Sequence, residues 1–91
     1  MVNDYLPIGS VILLKNAKKR LMITGYHIID KENDKTYDYC GCLYPEGYIS
    51  TDRIAVFNHN QIDKVFHLGL NDSESVNFKK KLNNILKNDN N

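Results

Sequence analysis

Apolar and polar positions alternate at a strand-like period through most of the chain between Ser10 and Leu68, and shift to a helical period after Asn71. Leu6-Pro7-Ile8-Gly9 opens this stretch as a turn, because proline fixes φ and glycine frees it. Ser10 to Lys15 is apolar on both faces, which predicts a short central or covered strand. Asn16-Ala17-Lys18-Lys19 supplies a hairpin loop. A longer strand from Arg20 to Ile29 puts Leu21, Ile23 and Ile29 on one face and Met22, Thr24, Tyr26 and Ile28 on the other. Gly25 interrupts it, predicting a bulge or a sharp bend. Asp30 to Lys35 is charged throughout apart from Asn33 and reads as a solvated loop tip.

In the stretch YDYCGCLYPEGYIS, residues 37–50, Tyr37, Tyr39 and Leu43 alternate with Asp38, Cys40, Cys42 and Tyr44, again at strand period. Tyr44-Pro45-Glu46-Gly47 fits a type I turn, with proline second and glycine fourth. Asp52 to Phe57 is a further strand, Asn58-His59-Asn60-Gln61 a turn, and Ile62 to Leu68 a last strand with Ile62, Phe66 and Leu68 on a single face. Phe78, Leu82, Ile85 and Leu86 then form one helical stripe. Asn71, Asp72 or Ser73 caps that helix, Asn71 making a capping box with Glu74. The expected fold is therefore α+β: a small antiparallel β meander or partly open barrel of about five strands with one C-terminal α-helix. It forms a single domain over residues 1–91, with strands within about 10–68, a helix over about 73–87 and a frayed tail at 88–91.

Composition narrows the function more than it names one. With 91 residues, the chain has room for one core, and a domain of this size buries roughly 60–65% of its unfolded surface. Twelve basic against eleven acidic residues leave a net charge of +1, too small to create a general field for nucleic acid or an acidic membrane. The longest purely apolar run, Val11–Leu14, falls far short of the ~20 residues of a transmembrane helix. MVNDYLPIGS carries no secretory signal pattern, so a cytoplasmic location without membrane insertion is expected.

The candidate chemistry divides between thiols and aromatics. Cys40 and Cys42 share a strand face with Cα atoms about 7 Å apart, at or beyond disulfide range. His27, His59 and His67 are scattered and no second cysteine pair exists, so zinc spacing is missing and no metal or cofactor is expected. No feature near Cys40 or Cys42 marks a lowered thiol pKa, and the isolated glycines build no phosphate cradle; no catalytic residue is assigned. Buried strand cysteines account for both thiols. The YPEGY turn offers a better surface, because tyrosines at a turn are amphipathic and lose little rotamer freedom on binding. Asn58 is expected to start a turn through its side chain, with His59 beside it as a surface contact. Lys79-Lys80-Lys81 reads as a solvated helix face.

LPIGSVILLK, KRLMITGY, YDYCGCLYPEGYI and VFNHNQIDKVFHLG, in that order, resemble the family of domain of unknown function 4176. The resemblance covers Leu6 to about Gly69. It implies a short cytoplasmic protein of Gram-positive bacteria, of a kind often encoded near type VII secretion genes and their toxin substrates, and an accessory, adaptor or chaperone-like role. It brings no catalytic residues. The leading expectation is a non-enzymatic protein-interaction module whose partner is a secretion component or toxin, with Tyr44, Glu46, Tyr48 and His59 as contacts and the oligomeric state left open. A small nucleic-acid-binding β barrel, and a thiol or metal-dependent activity at Cys40-Gly41-Cys42, are the alternatives; nucleic acid is the less expected partner.

Overall fold

The structure, a computed structural model, describes residues 4–89, with side chains through residue 87. Five strands, β1 (Val11–Leu14), β2 (Leu21–Asp30), β3 (Lys35–Leu43), β4 (Ala55–Phe57) and β5 (Ile62–His67), precede one helix, α1 (Ser73–Asp89). They form one antiparallel sheet in the order β4-β3-β2-β1-β5. The first four strands are thus a meander, and β5 returns to the far edge to pair with β1. The expected α+β architecture of about five strands and a C-terminal helix is the one observed, with the sheet not closed among the described residues.

A bulge in β2 decides which side chains meet in the core. Ile23 pairs with Gly41 and Gly25 pairs with Cys40, which leaves Thr24 as an extra residue on β2. One inserted residue reverses the face of everything beyond it. Tyr26, expected opposite Ile23, therefore joins Ile23 on the core side and faces Tyr39, its pairing partner. Ile29, expected inside, is 58% exposed for the same reason. On β3 nothing intervenes, and Tyr39 and Leu43 lie toward the core as their alternation requires.

The core gathers Tyr5, Ile12, Leu21, Ile23, Tyr39, Phe57 and Leu86. Tyr5 comes from the segment before β1, where a turn was expected and a core residue was not. That segment is held by its neighbours rather than by strand pairing. Leu6 N donates to the Tyr39 hydroxyl at 3.0 Å, and the Tyr26 hydroxyl donates to Leu6 O at 2.6 Å. Two phenols thus satisfy both backbone groups of one residue, groups that would otherwise be buried unpaired at a cost of about 1–3 kcal/mol each.

Helix α1 docks on part of the expected stripe, with Leu82 and Leu86 packed on the core as expected and Phe78 and Ile85 turned outward. Asp72 is the cap, accepting from Ser75 N at 3.0 Å, and the side facing the core carries Lys79, Leu82 and Leu86. Phe78 and Ile85 are 54% and 57% exposed. Lys79 takes the place beside Leu82 and Leu86: its ammonium is buried and donates to Tyr5 O at 3.1 Å, with the Asp4 carboxylate 4.0 Å away. Lys79 is therefore not part of a solvated lysine face, whereas Lys80 and Lys81 are exposed. Replacing Lys79 by methionine keeps the aliphatic stem and orphans the Tyr5 carbonyl, so unfolding by urea should show a loss of about 1–3 kcal/mol. Lys80→Ala should stay within about 0.5 kcal/mol of the parent. The helix continues through Asp89, so residues 88 and 89 extend it, and the frayed end expected at 90–91 lies outside the described residues.

Three further segments differ from the sequence pattern. Thr51–Arg53 is a turn of 3₁₀ helix and only Ala55–Phe57 is strand, because Ser50, Asp52 and Arg53 close a local turn through Arg53 N to Ser50 O at 3.1 Å. The YPEG loop closes from Gly47 N to Leu43 O at 2.7 Å, one residue earlier than a type I turn over 44–47, and its Tyr44–Pro45 peptide is cis. In β5 only Ile62 packs on the core, Phe66 is 53% exposed, and Leu68, expected in the strand, lies just beyond it and is 59% exposed. Register shifts against β1 between Val11 and Ile12, and between Leu13 and Leu14, break the single-face pattern there.

Candidate functional site

Tyr39 is the centre of the aromatic core. Its ring lies 5.4 Å from Phe57, 5.6 Å from Tyr5, 5.9 Å from Tyr26 and 5.8 Å from His59. Its hydroxyl accepts from Leu6 N and lies 2.7 Å from His59 Nδ1. The Tyr39 phenol and His59 Nδ1 share one hydrogen bond whose direction the imidazole tautomer sets. Asn58 and His59 are placed by the start of a 3₁₀ turn, His59–Gln61. Asn58 N donates to Gln61 Oε1 at 2.7 Å, Asp38 N donates to Asn58 Oδ1 at 3.1 Å, and His59 N donates to Asp38 Oδ2 at 2.9 Å. As expected, Asn58 starts the turn, which closes from Gln61 N to Asn58 O at 3.0 Å.

Burial pushes the Tyr39 phenol well above the ordinary tyrosine range, and burial followed by the charge of Asp38 raises Tyr5. Below pH ~10 both folded and unfolded chains keep these protons and stability does not respond. Above it the unfolded chain ionises first and binds fewer protons, so stability falls as pH rises. The limiting slope is about 1.4 kcal/mol per pH unit for Tyr39, the more strongly raised of the two, and Tyr5 adds to the fall in the same direction. Urea midpoints between pH 8 and 12 measure it; a midpoint that does not move above pH 10 would contradict the burial of both rings.

The opposite face of the sheet carries the exposed aromatics. Arg20 precedes β2 beside Tyr44, whose N–H donates to Arg20 O at 3.0 Å. The Arg20 guanidinium lies 5.0 Å from the Tyr44 ring centre and 5.3 Å from that of Phe66 on β5. Contacts of this kind contribute about 0.5–1 kcal/mol at exposed sites, and here they fix a long cation between two rings. A groove of about 480 Å³ runs along this surface, lined by Val11, Arg20, Met22, Tyr44, Phe66 and His67. Glu46 pairs with Lys19 at 2.5 Å, and that hydrogen bond holds its carboxyl below the usual range. Tyr48 is 64% exposed and Ile49 55%.

Tyr44, Glu46 and Tyr48 therefore belong to one loop at the end of β3. His59 does not join them: its anchor, Asp38, is six residues from Tyr44 along the chain, about 20 Å at the rise of a strand. Arg20 and Phe66 were not picked out by the sequence pattern. Pairing Arg20 with Tyr44 follows once the β2–β3 register is known, but nothing local predicts that β5 crosses to the β1 edge and brings Phe66 alongside.

Cys40 and Cys42 are free thiols on the outer face of β3, Cys42 buried and Cys40 half-buried with its Sγ 3.6 Å from Thr24 Oγ1. Among the described residues no group of three or more His, Cys, Asp and Glu side chains is arranged to hold a metal ion. No helix is long and apolar enough to cross a membrane among those residues.

A model of the family described as Domain of unknown function (DUF4176) matches residues 5–78. That span runs from Tyr5, the first core residue, to Phe78 in α1, and so includes the whole sheet. No curated protein and no solved structure matches the chain.

Proposed function

The chain belongs to the DUF4176 family, and from that premise we propose that it is a protein-interaction module with no catalytic role. Its place is the cytoplasm of a Gram-positive bacterium, as an accessory, adaptor or chaperone-like protein of a type VII secretion pathway. The partner is a secretion component or a toxin substrate. The carrying observation is the outer-face surface on which Arg20 lies between Tyr44 and Phe66, with the exposed Tyr48 and the Lys19–Glu46 pair close to them along the chain. Tyrosine and arginine dominate the energetic centres of protein interfaces because they combine apolar area with directed polar groups. A pre-positioned guanidinium also reduces the ordering cost of association.

On this reading Tyr44, Glu46 and Tyr48 form one contact area, and His59 meets only a partner long enough to follow β3 to its other end. Tagged protein incubated with a Gram-positive lysate should enrich a secretion component or a toxin, and Glu46→Ala and Tyr48→Ala should each reduce that enrichment. Enrichment of neither kind of protein would remove the pathway assignment. Enrichment unchanged in both variants would remove the loop as the contact.

A further inference from the structure

The outer-face groove gathers one guanidinium and several apolar side chains from four neighbouring strands. Arg20 and Met22 alternate with the core residues Leu21 and Ile23, and so lie on the outer side of β2. Val11 pairs with Met22, and the two make an apolar floor. Tyr44, at the end of β3, forms one wall. An irregularity in β5 supplies the other: Val65 pairs with Ile12 and His67 with Val11, which leaves Phe66 as an extra residue. Phe66 and His67, though consecutive, therefore both line the groove, where regular alternation would have sent one of them to the opposite face.

Arg20 is held in this groove without an anion. Its charge lies against the rings of Tyr44 and Phe66, 5.0 and 5.3 Å from their centres. Rings are weak acceptors, so these contacts leave the N–H donors of the guanidinium open to a stronger one. Among the described residues the ion pairs are Lys19–Glu46 and Lys79–Asp4, and no carboxylate reaches Arg20. None of the residues lining the groove is acidic. A guanidinium matches a carboxylate through two parallel hydrogen bonds. Phosphate recognition gathers arginines in clusters, whereas this groove has one, and a net charge of +1 adds no wider field. The complement of the groove is thus a single carboxylate with apolar groups around it. Three strand spacings separate β3 from β5, about 14 Å, which is the reach of about four extended residues.

We propose, on the reading of this chain as a protein-interaction module, that the groove seats a short extended segment of the partner protein in which one Asp or Glu, flanked by apolar residues, places its carboxylate on Arg20. The flanking side chains lie on Val11 and Met22, between the Tyr44 and Phe66 walls.

Random peptides displayed on phage and selected on the immobilised full chain test this. Enriched sequences should share an Asp or Glu between apolar residues. In calorimetry, the leading peptide should bind about tenfold more weakly or worse when its acid is replaced by the matching amide, a change that leaves the protein untouched. Arg20→Gln should cause a similar loss, and Arg20→Lys should not restore full affinity because it lacks the planar fork. The two losses should not add: the amide peptide should bind Arg20→Gln as well as it binds the parent. Lys80→Gln on α1, with the same change in net charge, should leave affinity within about twofold. No enriched peptide, enriched peptides without an acid, undiminished binding to Arg20→Gln, additive losses, or an equal loss in Lys80→Gln would each overturn the proposal. Any of these results alongside a captured partner that still depends on Glu46 and Tyr48 removes the groove and leaves the interaction module standing. Acid-dependent peptides bound through Arg20, with no secretion component or toxin captured, remove the pathway and leave the groove.

Discussion

Truncating Tyr39 to alanine is expected to cost about 3–5 kcal/mol, the range for removing a large buried aromatic. The side chain is fully buried and contacts Tyr5, Tyr26, Phe57 and His59, so its loss opens the centre of the core. A domain with a total stability of ~5–15 kcal/mol has little to spare, and this variant should be largely unfolded at 37 °C if the parent sits at the low end. The milder Tyr39→Phe change separates shape from hydrogen bonding. It keeps the ring and orphans Leu6 N and the hydrogen-bonded ring nitrogen of His59, which should cost about 1–3 kcal/mol. Urea titrations followed by far-ultraviolet circular dichroism give both numbers. A Tyr39→Phe midpoint equal to that of the parent would show that the phenol does not hold the Leu6 segment.

Gly69→Ala should be comparably severe for a different reason. A Cβ at this position would lie 1.9 Å from Ile8 O, 2.8 Å from Ile8 C and 3.0 Å from Gly9 C. All three are backbone atoms, so no side chain can swing aside and the two segments must separate. Separation also breaks the bond from Gly69 N to the buried Ser10 hydroxyl, 3.0 Å long. The expected loss is at the top of the ~1–3 kcal/mol usual for overpacking, or above it. Ser10→Ala, which removes the acceptor without adding bulk, should cost less. Equal urea midpoints for Gly69→Ala and the parent would contradict the close approach of these two segments.

The segments that could be read from the sequence are those whose structure depends on near neighbours. The strand alternation from Tyr37 to Leu43, the turn at Asn58 and the helix cap near Asp72 each follow from residues within a few positions. The bulge was signalled by Gly25, but its extra residue is Thr24, and only the pairing of Ile23 with Gly41 fixes the phase of Tyr26. Long-range contacts account for the remainder. Lys79 is a helix lysine like its neighbours until the Tyr5 carbonyl, 74 residues away in the chain, gives its ammonium a partner. Gly69 reads as a strand terminator, yet its constraint comes from Ile8. The candidate surface follows the same division: Tyr44, Glu46 and Tyr48 were legible as a tyrosine-rich turn, while Arg20 and Phe66 needed the sheet order.

An inner tyrosine cluster holds the fold, and on the proposed function the outer tyrosines dock the partner. Tyr48 tests the outer part most cleanly, being 64% exposed. Tyr48→Ala should leave the urea midpoint within about 0.5 kcal/mol of the parent. With the captured partner titrated by calorimetry, the same variant should bind at least about tenfold more weakly. Unchanged stability together with undiminished affinity would show that this surface is not where the partner docks.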